Sequence, residues 1–157
     1  MKAFQYKTIN ANSQIYKRGV NMTLEDKELE QIKRKIVSDI MTANPDTNGE
    51  VKVLKSREIE EFVSKNKFVI IDFYATWCPP CKIMDPITRE LAETYEGKVA
   101  FAKINIQEYQ DIAKKYKIEG IPHLILFGYG KKVTAITGLK SVGEIKNVIE
   151  NIFKKHS

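Results

Sequence analysis

The chain has 157 residues, 43% of them hydrophobic and 29% charged, with a net charge of +6. The length suits one domain of about 100–150 residues plus an appendage, and the composition is that of a folded globular chain. No apolar run approaches the roughly 20 residues that cross a bilayer, and no apolar signal core follows Met1, so a cytoplasmic chain with no membrane association is expected.

Residues 1–21 carry Lys2, Lys7, Lys17 and Arg18 and no acidic residue. They read first as a disordered leader, or as sequence upstream of a start at Met22, and second as a basic targeting peptide. Residues 22–49 form a helix and a linker. Thr23 is placed to cap a helix over 24–41, in which Leu29, Ile32, Ile36, Val37 and Ile40 make an apolar stripe. The stripe either docks on the main domain or binds a partner. Residues 43–49 are rich in turn formers.

From Glu50 strands and helices alternate. A short strand is expected over 51–54. Ser56 is placed to cap a helix over 57–65. Residues 68–74 are nearly all apolar, the pattern of a central strand covered on both faces. A helix follows from the cysteines to about Tyr95, with Pro86 inside it as a kink. Further elements are a strand over 98–105, a short helix over 108–115, and strands over 123–127 and 132–136. Ser141 caps a last helix whose inner face is Ile145, Val148, Ile149 and Ile152. Lys33-Arg34-Lys35, Lys114-Lys115 and Lys131-Lys132 fit solvated faces, so nucleic acid is not an expected partner.

Trp77-Cys78-Pro79-Pro80-Cys81-Lys82 holds the only two cysteines of the chain. They stand where the apolar strand passes into a helix. Unpaired N–H groups at the helix start favour a thiolate there, and the thiolate is the nucleophile of disulfide exchange. Two cysteines cannot complete a structural zinc site, and His123 and His156 lie too far apart in sequence to suggest a ligand pair. A structural bridge closing so short a loop would add little stability. A redox-active dithiol is the reading that remains.

Residues 71–82, Ile-Asp-Phe-Tyr-Ala-Thr-Trp-Cys-Pro-Pro-Cys-Lys, resemble the active-site segment of the thioredoxin family. Pro86, the Gly120-Ile121-Pro122-His123 segment, Gly130 and Gly138 match further family positions in register. The resemblance spans about Glu50 to Phe153, and residues 50–157 form the expected domain. It implies an α/β thioredoxin fold: a central mixed five-stranded sheet flanked by four helices, preceded by the N-terminal amphipathic helix.

The resemblance also implies roles. Cys78 is the exposed attacking thiolate and Cys81 the buried resolving thiol. Asp72 is a buried general base for Cys81, against the alternative of a carboxylate at a solvent edge. Lys103 partners Asp72, against that of a solvated strand-end lysine. Trp77, Pro79, Pro80, Ile121, Pro122 and His123 contact the substrate. Pro122 follows a cis bond, and the Ile121 backbone can pair with a bound peptide.

Three residues depart from the family pattern. Pro79 replaces a glycine and removes a backbone donor. His123 replaces a threonine, either as a cation that favours the thiolate or as a strand residue without a redox role. Asp85 replaces a small residue, either exposed or adding negative charge near the cysteines.

The expected function is a monomeric protein-disulfide reductase without a tightly bound cofactor. Its partners are protein disulfides and a thioredoxin reductase or equivalent electron donor. A disulfide oxidase or isomerase on the same fold is the alternative, and a scaffold that recruits partners through the N-terminal helix is a third reading.

Overall fold

The computed structural model describes residues 24–42 and 45–157. The leader over 1–21, the cap at Thr23 and the side chains of Ile36, Val37 and Ile40 lie outside the described residues. The chain divides into two compact units, Met1–Met41 and Thr42–Ser157. In the first, helix α1 spans Leu24–Thr42, with Glu25 and Asp26 in its first turn, where the helix dipole favours them. Leu29 and Ile32 of the expected stripe are exposed.

The second unit is built on a five-stranded sheet in the order β1-β3-β2-β4-β5. The strands are β1 (Val51–Val53), β2 (Phe68–Tyr74), β3 (Ala100–Asn105), β4 (His123–Gly128) and β5 (Lys131–Thr137). β3 runs parallel to both β1 and β2, while β4 is antiparallel to β2 and β5. Four helices accompany the sheet: α2 (Ile59–Lys65), α3 (Pro79–Thr94), α4 (Gln110–Lys115) and α5 (Val142–Lys155).

Alternation along the strands separates two cores. On one face Ile71, Phe73, Ile104 and Ile125 pack with Ile59, Phe62 and Val63 of α2 and Ile112 of α4. On the other, Ile70, Phe101, Leu124 and Leu126 pack with Met84, Leu91 and Ala92 of α3 and Ile145, Ile149 and Ile152 of α5. β2 contributes to both, so the apolar run read in the sequence is a strand covered on each side.

Two local expectations are corrected. Ser56 caps no helix: residues Ser56–Glu58 make a single 3-10 turn that leads into α2. The Glu58 carboxylate accepts from the Lys55 N–H at 2.7 Å, and the Ser56 hydroxyl instead donates to Asp111 at 3.4 Å. β3 begins at Ala100 rather than at residue 98. The Lys98 and Val99 amides turn back to the Tyr95 carbonyl at 2.9 and 3.0 Å and end α3.

Other signals hold. Pro86 sits inside α3, where it has no N–H to give the Lys82 carbonyl. Between β4 and β5, Tyr129 and Gly130 both take positive φ, 52° and 79°, as a two-residue hairpin whose twist matches its strands requires. Ser141 caps α5: its Oγ accepts from the Glu144 N–H at 3.3 Å, and Glu144 accepts from the Ser141 N–H at 2.8 Å. Replacing Ser141 with Ala should cost about 1 kcal/mol in urea unfolding, because one side of this reciprocal cap is lost.

Candidate active site

β2 ends at Tyr74, and the chain crosses Ala75, Thr76 and Trp77 to the tip of α3. Thr76 is held there by Gln107, whose side-chain oxygen accepts from the Thr76 hydroxyl at 2.8 Å and from its N–H at 3.2 Å. Cys78 is the N-cap of α3, in extended backbone, and Pro79 and Pro80 fill the first helical positions. Proline suits them because its φ is already helical. It also leaves them without donors. The Cys81 N–H points back and lies 3.2 Å from Cys78 Sγ. The two cysteines are joined in a disulfide with Cα atoms 5.2 Å apart.

Cys78 is only 3% exposed, as buried as Cys81 at 4%. This corrects the expectation of an exposed attacking sulfur. Ala75, Tyr74 and Ile121 pack around the pair and cover it in the oxidised form. Access is through a groove of about 500 Å³ whose walls include Trp77, Cys78, Pro79, Pro80 and Ile121. Trp77 stands on its rim, 65% exposed. Ile121 precedes a cis peptide bond to Pro122. It forms no backbone hydrogen bond among the described residues, which leaves its N–H and C=O free for an extended peptide. Pro122 is buried beside it, and its carbonyl accepts from Gly138 at 2.8 Å.

Behind the dithiol, a second space of about 290 Å³ is lined by Asp72, Cys81, Lys82, Asp85 and Lys103, among others. Asp72 is 2% exposed, and its Oδ1 has no hydrogen-bond partner among the described residues. Burial pushes its carboxyl from 3.8 up to about 7, against a downward pull from Lys103. Asp72 is therefore the buried acid expected, and not a solvent-edge carboxylate.

Lys103 faces Asp72 in strand register but does not bond to it. Its ammonium lies 2.5 Å from Asp85 Oδ1. The expected Lys103–Asp72 partnership is thus replaced by a Lys103–Asp85 ion pair, because α3 supplies a carboxylate that the family pattern lacks. The other oxygen of Asp85 binds Arg89 at 2.7 Å. The negative charge of Asp85 near the cysteines is balanced from two sides.

His123 is not brought into the groove. It pairs with Phe73, so it belongs to the face opposite Asp72, and its ring lies 6.3 Å from that of Phe73. Its Nδ1 is 2.8 Å from Thr137 Oγ1. Burial, and then the charge of Lys132, lower its pKa below 6.5, so the ring is neutral at pH 7. The substrate-contact and cation roles give way to that of a buried strand residue. Gly120 of the matched segment lines the groove, as do Ile106, Ile118 and Glu119, which the sequence did not single out. Ile118 and Glu119 lead directly into that segment, and the adjacency is the signal that could have found them. Ile106 has no comparable mark.

A mixed sheet with a dithiol at the tip of a helix, a cis-proline loop against it and a buried acid behind it defines a thiol–disulfide exchange domain. Sequence comparison agrees: the family model for Thioredoxin matches residues 50–151. The chain belongs to the thioredoxin family. It is 36% identical over 107 residues to a thioredoxin of Chlamydia pneumoniae, covering 68% of this chain and 99% of that one. It is 40% identical over 92 residues to thioredoxin Y1, chloroplastic, of Arabidopsis thaliana, covering 59% of this chain. The chain spans about half the length of that protein and of thioredoxin Y2, 54% and 53%. A solved mutant thioredoxin from Halobacterium salinarum NRC-1 superposes with a TM-score of 0.62 at 37% identity, covering 70% of this chain and 94% of that one.

The burial of Asp72 makes stability depend on pH. Its folded pKa of about 7 lies above the ordinary 3.8. Between these values the folded state keeps a proton that the unfolded state has lost, so stability falls as pH rises. The contribution is present in full below the unfolded pKa and is lost by about pH 7, a change on the order of 4 kcal/mol. Asp72→Asn should unfold at higher urea than the parent at pH 8, and its advantage should shrink toward zero at pH 4.

Proposed function

We propose that this chain reduces disulfides in other proteins through Cys78 and Cys81. The observation that carries the reading is the dithiol at the tip of α3, opening onto a groove on one side and backed by Asp72 on the other. In the reduced chain the Cys78 thiolate attacks one sulfur of a substrate disulfide. A mixed disulfide forms and the first substrate thiolate leaves. Asp72, ionised at that point, takes the proton of Cys81. The space between them is large enough for a bridging water. The Cys81 thiolate then attacks Cys78 Sγ, the mixed disulfide breaks, and the second substrate thiolate leaves. Asp72 returns its proton to a released thiolate by way of solvent. Two electrons have moved to the substrate, and Cys78–Cys81 is the disulfide seen in the structure.

Reduction is favoured over oxidation by what surrounds Cys78. A strong oxidant arises when the reduced form is stabilised. At this helix tip Pro79 and Pro80 have no N–H, and the Cys81 amide makes the one hydrogen bond to Cys78 Sγ among the described residues. His123 is neutral and faces the other side of the sheet. The thiolate therefore gains little, and the disulfide form is favoured. An oxidase or isomerase would need the opposite balance.

The partners of this reading are protein disulfides and a thioredoxin reductase or equivalent donor that restores the dithiol. The chain acts as a monomer in the cytoplasm, relaying electrons from the donor to its substrates. Both of its cysteines serve the exchange site and none a structural bridge, which is the usage of a reducing compartment.

Equilibration of the Cys78–Cys81 pair against a dithiothreitol buffer tests the direction. A potential near about −270 mV, the thioredoxin value, is expected, and one near about −180 to −120 mV would make the chain an isomerase or oxidase. Cys78→Ser should abolish cleavage of an absorbing aryl disulfide. Cys81→Ser should accumulate a covalent mixed disulfide with a protein substrate, visible on a non-reducing gel and released by dithiothreitol.

A further inference from the structure

The cluster behind the dithiol contains a carboxylate that disulfide exchange does not itself require. Asp85 lies on α3, one turn beyond Cys81. It spends one oxygen on Lys103 at 2.5 Å and the other on Arg89 at 2.7 Å. Lys103 stands on β3 opposite Asp72, and its ammonium lies 5.4 Å from the centre of the Tyr74 ring. Lys103 is the cation whose charge acts on Asp72, a carboxyl with an unpartnered, buried oxygen. The register Asp72↔Lys103 puts the two residues side by side on neighbouring strands. The contact that draws the ammonium to the helix is the one with Asp85.

We propose that Asp85 is a positioning residue: it anchors Lys103 on α3, leaves Asp72 without a salt-bridge partner, and so keeps Asp72 able to take up the proton of Cys81. The proposal deepens the disulfide-exchange reading and rests on it for its functional meaning. The groups that face Asp72 are few. The sheet presents Lys103 from β3, Tyr74 from β2 itself and the apolar Leu124 from β4. Helix α3 presents Cys81, Lys82 and Asp85, with Arg89 behind Asp85. Lys103 pulls the Asp72 carboxyl toward ionisation and Asp85 pushes it the other way, second and third to burial. If the Asp85 carboxylate were absent, Asp72 would be the carboxylate left in the space that Lys103 lines. An Asp72–Lys103 ion pair would make Asp72 a weaker base for the resolving thiol.

The test is the titration of the Asp72 carboxyl by carbon NMR in the full chain, with the signal assigned by its loss in Asp72→Asn. In Asp85→Ala the midpoint should fall by about one unit or more, a tenfold loss of proton affinity, and in Asp85→Asn by less. Against a Lys103→Met background the same Asp85→Ala change should give a clearly smaller fall, the part that the Asp85 charge exerts directly, because the rest acts through the lysine. An unchanged midpoint in Asp85→Ala, or a fall that persists in full without Lys103, overturns the proposal. Should Asp85→Ala not fold, Asp85→Asn with and without Lys103→Met decides the matter by the same comparison. The pH profile of mixed-disulfide release in single turnover should move to lower pH with the carboxyl. The exchange reading is judged separately, by whether the parent chain cleaves an aryl disulfide at all. The titration decides the Asp85–Lys103 coupling whichever way that assay falls.

Discussion

The site depends on the burial of one strand. β2 is hydrogen-bonded along both edges, to β3 and to β4, and helices cover both of its faces. Its middle side chains are buried, and of them Asp72 alone borders the space behind the dithiol. Asp72 is the one charged residue in that strand, and burial, with a smaller push from Asp85 and against the pull of Lys103, makes it hold its proton to about pH 7. The rigidity of the same strand fixes where the chain emerges at Tyr74, and hence where the tip of α3 stands. Burial thus sets both the position of the dithiol and the proton affinity of the acid behind it. Loss of stability near neutral pH is the cost of a base that works there.

The strand itself was legible. Its seven residues carry six apolar side chains, and the bounds read in the sequence, 68–74, are those observed. Pro86, the Ser141 cap and the cis-proline segment were also legible, because each rests on local chemistry or on a motif. What the sequence did not reveal depends on side chains that meet across the fold. Asp85 and Lys103 are 18 residues apart, and no local rule says that α3 offers its carboxylate to β3. His123 gave no sign of which face it would take, since a shift of one residue in the pairing of β4 reverses it. The coverage of Cys78 comes from Ile121, 43 positions further on, folded back over the disulfide. At Ser56 the capping residue type was present, but the Glu58 N–H already donates to the Lys55 carbonyl at 2.9 Å and closes a tighter turn.

The two prolines between the cysteines join these facts. A helix start normally offers several free N–H groups to an anion at its tip. This one offers the Cys81 amide, because Pro79 and Pro80 have none to give. Electrostatic support for the Cys78 thiolate is reduced, and the fixed φ angles of two prolines leave the loop less conformational freedom to lose on closing. Both effects favour the closed disulfide and so a reducing dithiol. A dithiol of that kind has no difficulty in closing once Cys81 has lost its proton. The step that then needs help is the deprotonation of a buried thiol, and the help has to come from a base that is itself buried. Asp72 meets that need only while no cation is bonded to it. The relation between the Asp85–Lys103 pair and the acid is therefore part of the same chemical balance as the prolines at the helix tip.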